Sequence, residues 1–191
     1  MNNTKERNEL FLMQQIYTTL MSLSKKLDKE EYKHCSCLTA RQYITMLAIR
    51  LSPLGEATML NIAKKLGTTK QNINQLIPVL EKKGYIARYT YDKRKRPVNI
   101  ELTDSGKKAM LDYTGISSKI LLEIFDKFSE EEMEMLLHLL KKLHRYDGSH
   151  YCGFAEEAIA LFESEYSGLL DKILQEACQG DDSPDTPPPL S

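Results

Sequence analysis

Apolar residues recur at spacings of three and four along most of the chain, which predicts a mainly helical protein. Thr39, Thr58 and Thr103 each precede such a stripe and are suitable N-caps, as is the Thr68-Thr69 pair. Ser129 is followed three residues later by Glu132, which is a capping-box pattern. Together these signals predict helices over about 9–29, 39–51, 59–66, 69–83, 104–128, 129–146 and 154–178.

Two stretches with a different pattern follow the fourth of these helices. Residues 85–92 are rich in aromatic and β-branched side chains, and residues 97–103 alternate. In the second stretch Val98, Ile100 and Leu102 are predicted to point inward, and Asn99 and Glu101 outward. The sequence therefore predicts one β-hairpin with a basic tip, Asp92-Lys93-Arg94-Lys95-Arg96.

The two helices before the hairpin have the spacing of a helix-turn-helix. Ala63 is small where the helices cross, Gly67 suits a turn with positive φ, and Ile73 lies on the inner face of the second helix. An αα-hairpin in a helical bundle would show the same pattern. The outer face of the second helix carries hydroxyls, amides and a lysine, and Pro78 is expected to kink its C-terminal half on the exposed side. The polar candidates at its start are Thr68, Thr69, Lys70, Gln71, Asn72, Asn74 and Gln75.

Overall composition says little, because 41% hydrophobic and 28% charged residues with a net charge of −1 are ordinary for a globular chain. The distribution of charge says more. Residues 58–107 carry 11 basic and 4 acidic groups, and residues 129–191 carry 4 and 14. A basic block of this kind is typical of a nucleic-acid-binding face, although a solvated surface also produces charge runs. The polar N-terminus lacks a secretory signal and no stretch suits a membrane span, so we expect a cytoplasmic protein.

Within the basic region, the helix and the hairpin are predicted to contact different parts of DNA. Asn and Gln side chains match the N6 and N7 edge of adenine in the major groove, so the outer helix face is the candidate reading surface. The hairpin tip, with Lys93, Arg94, Lys95 and Arg96, is the candidate for contacts with phosphates or the minor groove.

At this point the chain resembles the MarR family of winged-helix transcription regulators over roughly residues 8–146. The resemblance rests on Leu38-Thr39-Ala40-Arg41-Gln42, Asn61-Ile62-Ala63-Lys64-Lys65-Leu66-Gly67, Leu80-Glu81-Lys82-Lys83-Gly84-Tyr85-Ile86, Asp92-Lys93-Arg94-Lys95-Arg96 and Leu102-Thr103-Asp104-Ser105-Gly106. It implies a homodimer with intertwined terminal helices that binds a pseudo-palindromic operator, with Arg94 or Arg96 as the wing arginine. The family usually has an acidic residue between the wing arginines, where this chain has Lys95.

Two features are candidates for sensing a signal. Members of the family often bind small aromatic ligands between the dimerisation helices and the winged helix, and Tyr17, Tyr43 and Tyr113 are aromatic candidates, although such residues are more often core. Cys35 and Cys37 lie beside His34 in a connecting segment, which makes them candidates for a redox sensor or for part of a metal site. An unpaired cysteine is also often a plain packed residue.

The expected fold is mainly α with a small β-hairpin wing: a winged helix-turn-helix domain plus N- and C-terminal dimerisation helices. The expected units are an N-terminal dimerisation and connecting region (1–57), the DNA-binding region (58–107), C-terminal dimerisation helices (108–150), an extra helix (151–180) and a disordered tail (181–191).

The expected function is a homodimeric repressor that binds double-stranded DNA and is released by a small-molecule or thiol signal, without a cofactor and without a membrane partner. A winged-helix protein-interaction module that does not bind DNA is the alternative. No catalytic constellation is recognisable, so we do not expect an enzyme.

Overall fold

In the computed structural model, residues 2–34, 37–89, 98–146 and 160–180 are described. The helical prediction is confirmed, and the strands form one antiparallel hairpin. None of the helices within these ranges is long and apolar enough to cross a membrane. The elements are α1 (Asn2–His34), α2 (Ala40–Arg50), α3 (Met59–Lys65), α4 (Lys70–Lys82), β1 (Ile86–Tyr89), β2 (Asn99–Leu102), α5 (Asp104–Phe125), α6 (Glu130–His144) and α7 (Ser167–Gly180), which follows a π-helical turn at Phe162–Tyr166.

Hydroxyl side chains begin five of these helices. In each case the hydroxyl oxygen accepts a hydrogen bond from the backbone N–H three residues later, at 3.0 to 3.3 Å. These bonds satisfy donors that a helix start otherwise leaves unpaired. Two of the caps are complete capping boxes, with Gln42 and Glu132 bonding back. The predicted caps are confirmed at Thr39, Thr58, Thr69, Thr103 and Ser129.

Glycines end α3 and α4 in the same way. Gly67 and Gly84 have φ of +58° and +73°, a region that side chains disfavour. After α3, the N–H of Thr68 donates to the carbonyl of Ala63 at 2.9 Å, and the N–H of Gly67 donates to that of Lys64 at 3.1 Å. This is a Schellman motif, which reverses the chain sharply. The tight turn predicted at Gly67 is therefore confirmed, and it places the start of α4 directly after α3.

The core lies where α2, α3, α4, the hairpin and the first half of α5 meet. Aliphatic side chains from each element are fully buried there, so the winged-helix part of the chain has a continuous apolar interior. The large apolar side chains with 0 or 1% exposure are Leu38, Met46, Ile62, Ile73, Ile77, Leu80, Ile100 and Met110.

The hairpin pairs Ile86 with Leu102 at its base and Tyr89 with Asn99 at its described end. One part of the predicted alternation is wrong: Asn99 is buried and Val98 is exposed. Asn99 lies against the α2–α3 loop, which lines the same cavity, and the adjacent Ile100 N–H donates to the Ala57 carbonyl at 3.0 Å. That loop therefore lies along the edge of β2 that does not pair with β1, and Asn99 is buried beside it.

A close backbone approach connects the hairpin to α5. The N–H of Thr103 donates to the Tyr85 carbonyl at 3.0 Å, and the Thr103 hydroxyl donates to the Gly84 carbonyl at 2.6 Å. Gly106 lies against the same carbonyl, and a Cβ there would overlap the Tyr85 oxygen. The Leu-Thr-x-x-Gly sequence is thus explained by this contact, which only glycine allows.

The terminal helices α1 and α6 have apolar faces that the rest of the described chain leaves exposed to solvent. The stripe predicted as the buried face of α6 is exposed, with fractions between 36% and 49%, and the prediction of burial is wrong for the single chain. The reason is that no other described element covers α6. Apolar residues of α1 are similarly exposed, between 44% and 64%. The α6 residues are Met133, Leu136, Leu137, Leu140 and Leu143, and those of α1 are Leu10, Phe11, Leu12, Met13, Ile16, Tyr17, Met21 and Leu23.

The C-terminal segment (160–180) is helical and packs against α5 of its own chain. Leu161, Tyr166 and Ile173 are buried, and the Leu169 side chain lies over Gly115, where a Cβ would be 3.7 Å from it. The described part of the predicted extra helix is therefore present. The tail predicted at 181–191 lies outside the described residues.

Replacing Gly106 with alanine is expected to lower the free energy of unfolding by about 2 kcal/mol, because the new methyl group overlaps backbone that cannot rotate away. Urea unfolding followed by circular dichroism measures this change. Gly168→Ala is the matched control, since nothing lies within 4 Å of a Cβ on that helical glycine. The control is expected to be neutral or stabilising by up to about 1 kcal/mol, and equal effects of the two substitutions would contradict the account.

Candidate nucleic-acid interface

The rotation of α4 is fixed by its buried stripe. Ile73, Ile77 and Leu80 have no solvent exposure, and Leu76 is half-buried beside them. Because successive residues are separated by about 100° around a helix, the opposite side must face solvent. The predicted reading face is there: Gln71, Asn72, Asn74 and Gln75 are exposed, Lys70 and Thr69 are exposed at the helix start, and Thr68 is half-buried.

These polar side chains divide into a restrained group and an unpaired group. The Thr69 hydroxyl accepts from the Asn72 backbone N–H, and the Thr68 hydroxyl accepts from the Asn72 side-chain amide at 2.9 Å. Within the described ranges, the side chains of Gln71, Asn74 and Gln75 make no hydrogen bond. The two threonines therefore organise the start of the helix, and the three amides keep their donors and acceptors available.

Pro78 lies on the same exposed face, one turn after the amides. Helix α4 continues through it to Lys82, although a proline has no N–H to donate to the carbonyl four residues earlier. Since Pro78 is solvent-exposed, its ring meets no core side chain. The kink predicted for this position stays a prediction.

An ion pair that the sequence analysis missed connects the hairpin to α4. The Arg88 guanidinium on β1 lies 3.0 Å from the Glu81 carboxylate near the end of α4. No local sequence signal connects these two residues, since their pairing depends on how the hairpin folds back. The predicted tip contacts at Lys93, Arg94, Lys95 and Arg96 lie outside the described residues.

The electrostatic character of this face follows from the order of residues. From residue 57 to residue 80 the chain contains no aspartate or glutamate, but it contains Lys64, Lys65 and Lys70. Lys64 and Lys70 are exposed. A segment that presents amides, hydroxyls and cations and contributes no carboxylate of its own favours the approach of a polyanion.

Lys83, at the end of α4, is a second residue that the sequence analysis missed. Its ammonium group donates to the Cys37 carbonyl at 2.8 Å and to the Gln42 side-chain oxygen at 3.0 Å. It therefore connects α4 to the segment between α1 and α2. Cys37 is half-buried against the core, and Cys35 lies outside the described residues. Among the described ranges, no cluster of three or more histidine, cysteine or acidic side chains is arranged for a metal ion.

The tyrosines proposed as cleft residues separate into two environments. Tyr43 and Tyr113 stack with ring centroids 4.4 Å apart, and the Tyr43 hydroxyl bonds with that of Thr114 at 3.1 Å. Burial raises the pKa of Tyr43, and the Thr114 bond partly opposes the shift. Tyr17 is 64% exposed on α1 and is not part of this cluster. Tyr166 from the C-terminal segment is buried, and burial above all raises its pKa to about 12.

A cavity of about 380 Å³ lies between α1, α2 and α4. Thr68, Asn72 and Gln75 line one side of it, and Arg41 with Asp28 lines another. Its size is in the range of small-molecule sites. An occupant would touch the polar residues at the start of α4.

Residues 44–121 match the family described as a winged helix DNA-binding domain. Similar solved structures include MarR from E. coli in complex with operator DNA, at 22% identity with a TM-score of 0.59 over 67% of this chain and 92% of that one. The S. aureus MepR–DNA complex is 27% identical, with a TM-score of 0.53 over 67% and 90% of the chains. The chain therefore contains a winged-helix domain and has the fold of MarR-type regulators. The organohalide-sensing regulator RdhR, bound to 2,4-dichlorophenol, is 18% identical with a TM-score of 0.64 over 71% and 80% of the chains.

These similarities confirm the resemblance to MarR-family regulators that the sequence motifs indicated, and the winged-helix fold that it implied. The domain match spans α3, α4 and the hairpin, so it covers the exposed amide face. The structural matches extend over about two thirds of the chain.

Replacing Lys83 with methionine removes both hydrogen bonds to the α1–α2 connection. We expect amide hydrogen exchange around residues 37–39 to accelerate several-fold, because the Cys37 carbonyl loses its donor. Peptide-level mass spectrometry measures this exchange. Lys82→Met is the matched control: it is the exposed neighbour, and it is expected to leave that exchange unchanged. Equal exchange in the two variants would show that the Lys83 contacts do not hold the segment.

Proposed function

We propose that this chain is a repressor that binds a pseudo-palindromic operator as a homodimer and is released by a small-molecule or thiol signal. The observation that carries the proposal is the exposed face of α4, where Gln71, Asn74 and Gln75 present unpaired amides within a stretch, residues 57–80, that contains no carboxylate. In the major groove such side chains accept from and donate to adenine in one plane. The DNA complexes of MarR and MepR support the same use of this fold.

In this proposal α4, which we call the reading helix, and the hairpin, which we call the wing, contact different parts of the DNA. Gln71, Asn72, Asn74 and Gln75 read base edges, with Thr68, Thr69 and Lys70 at the helix start beside the backbone. Lys93, Arg94, Lys95 and Arg96 contact phosphates or enter the minor groove next to the reading site. The Arg88–Glu81 ion pair is consistent with this arrangement, since it lies between β1 of the wing and the end of α4.

The exposed apolar faces of α1 and α6 support the homodimer. Residues 10–13 are four consecutive large apolar residues, each at least 49% exposed, so they point to several sides of α1. One neighbouring helix cannot cover all of them, whereas a second copy that intertwines its own α1 and α6 can. Exposed apolar area of this extent is typical of a protein interface. Two copies would place two reading helices about one DNA turn apart, roughly 10 base pairs centre to centre.

Two features support a signal input. The cavity beside Thr68, Asn72 and Gln75 offers a small molecule a place from which to disturb the reading face. RdhR was solved with a bound chlorophenol, which supports this class of effector. Cys35 and Cys37 are the thiol candidates. Lys83, at the end of α4, donates a hydrogen bond to the Cys37 carbonyl, so a change in this segment on thiol oxidation would reach α4 through that bond.

The separate roles of the reading helix and the wing are tested by measuring the affinity for operator and for unrelated DNA at several salt concentrations. Gln71→Ala and Gln75→Ala are each expected to lower the preference for operator over unrelated DNA by about 1–3 kcal/mol, with an unchanged salt slope. Arg94→Ala and Arg96→Ala are expected to weaken binding to both DNAs and to reduce the salt slope by about one. DNA from the upstream region of the gene itself is the first operator candidate, and DNase footprinting measures the half-site spacing.

Gln175→Ala is the control, because this exposed glutamine lies on α7, outside the proposed interface. Two results would contradict the proposal. A reading-helix variant that keeps full operator preference would exclude α4 as the reading surface. Absence of all DNA binding at low salt would favour the protein-interaction alternative.

Leu140→Glu is expected to weaken the dimer by about 3 kcal/mol, roughly a hundredfold in Kd, because the carboxylate would be buried in an apolar interface. Analytical ultracentrifugation measures the monomer–dimer equilibrium. Lys142→Glu on the opposite side of α6 is the control and is expected to leave this Kd within a factor of about three. Dimers of equal stability in the two variants would exclude this face of α6 from the interface.

A further inference from the structure

The middle of α5 is a weak stretch of helix, which we call the mid-helix turn (residues 114–118). Gly115 lies in its interior, and glycine lowers helix stability more than any residue except proline. The Thr114 hydroxyl donates to the Met110 carbonyl at 2.9 Å, and the Ser117 hydroxyl donates to the Thr114 carbonyl at 3.2 Å. Such bonds compete with the helix backbone, and helices bend at glycine and serine pairs.

The mid-helix turn separates the winged-helix core from the proposed dimer interface. Before the turn, Ala109, Met110 and Tyr113 of α5 belong to the same buried cluster as the apolar stripe of α4. After the turn, α5 leads to α6, whose apolar face is exposed in the single chain. A bend in this turn would therefore change the angle between the winged-helix part and α6.

The C-terminal segment lies along α5 and covers this turn. The Leu169 side chain packs over Gly115, where a Cβ would be 3.7 Å from it. Tyr166 is buried in the core cluster of the winged-helix part, which lies before the turn. Ile173, two helical turns further along the segment, is also buried. The segment thus spans the weak part of α5 with its apolar side.

The π-helical turn at Phe162–Tyr166 keeps this apolar side continuous. Leu161 and Tyr166 are both buried, although they are five positions apart. In a regular α-helix that spacing would separate them by about 140° around the axis. A π-helical turn accommodates an additional residue, so both side chains reach the core. The local geometry of the segment therefore fits its place beside α5.

Ion pairs position the two ends of the segment. Glu165 pairs with Arg50 at the end of α2, across 115 positions of sequence. Glu176 pairs with Lys119, after the mid-helix turn, at 2.8 Å. These four side chains are between 38% and 57% exposed, and ion pairs so open to water add little stability. Burial of the apolar side holds the segment, and the ion pairs fix its contacts before and after the turn.

We propose that the C-terminal segment is a splint for the mid-helix turn, which holds the winged-helix part at a fixed angle to α6. The consequence for DNA rests on the proposed function, because in a dimer this angle sets the separation of the two reading helices. Helices held at the right separation lose less freedom when both half-sites are bound. Release of the splint is therefore expected to weaken binding to a full operator and to leave binding to one half-site unchanged.

The first test is hydrogen exchange of the full chain without DNA. Leu169→Ala removes the side chain over Gly115 and is expected to accelerate exchange in residues 114–121 about three- to tenfold, with α3 and α4 unchanged. Leu174→Ala is the matched control, since this leucine of the same helix is 50% exposed, and it is expected to leave the exchange of α5 unchanged.

A second substitution strengthens the turn itself. Gly115→Ala is expected to slow exchange there about fivefold, because alanine favours the helix and its methyl group meets Leu169 at an ordinary contact distance. Combined with Leu169→Ala, it is expected to return exchange close to that of the parent chain. The splint is excluded if Leu169→Ala and Leu174→Ala behave alike, if α3 and α4 accelerate as much as α5, or if Gly115→Ala restores nothing.

The DNA consequence is measured by fluorescence anisotropy with a full operator and with a single half-site. Leu169→Ala is expected to weaken operator binding about three- to tenfold, to leave half-site binding unchanged, and to be rescued by Gly115→Ala. Equal losses on the two DNAs, or no loss on the operator, would overturn this consequence. If the parent chain bound neither DNA, the proposed function would fail, and the exchange measurements alone would decide whether the segment splints α5.

Discussion

The complete burial of Ile73, Ile77 and Leu80 is the constraint on which the rest of the interface depends. These side chains fix how α4 is rotated, and that rotation alone decides which polar residues face outward. Their burial needs partners from α2, the hairpin and α5, so the exposed amide face of α4 exists only in the folded domain. A hydrophobic contact, which has no direction of its own, thereby orients the hydrogen-bonding groups.

Two backbone devices hold α4 in its place along the chain. The Schellman motif at Gly67 sets its distance from α3, and the approach of Gly106 to the Tyr85 carbonyl sets the position of the hairpin and α5 beside its end. Side-chain contacts then connect α4 to the neighbouring elements. Lys83 bonds to the α1–α2 connection, and Glu81 pairs with Arg88 on the hairpin. Helix α4 is thus joined to the α1–α2 connection and to the hairpin.

The single chain has a closed core in the winged-helix part and open apolar faces in the terminal helices. This contrast explains why the buried face predicted for α6 was wrong: periodicity shows that a face is apolar, but it does not say which molecule covers it. The C-terminal segment is the opposite case. Its apolar side chains are covered by α5 of the same chain, and its carboxylates meet Arg50 and Lys119.

The sequence by itself determined the features that depend on neighbouring residues. The hydroxyl caps, the glycine turn at Gly67 and the exposed amides of α4 all follow from spacings of three or four residues, and the motifs around them indicated the MarR type. The burial of Asn99, the Lys83 bonds and the Arg50–Glu165 pair were decided only by the tertiary structure. Each joins residues from distant parts of the chain, with Arg50 and Glu165 separated by 115 positions. Local periodicity contains no information about such pairs, because they depend on how whole elements pack.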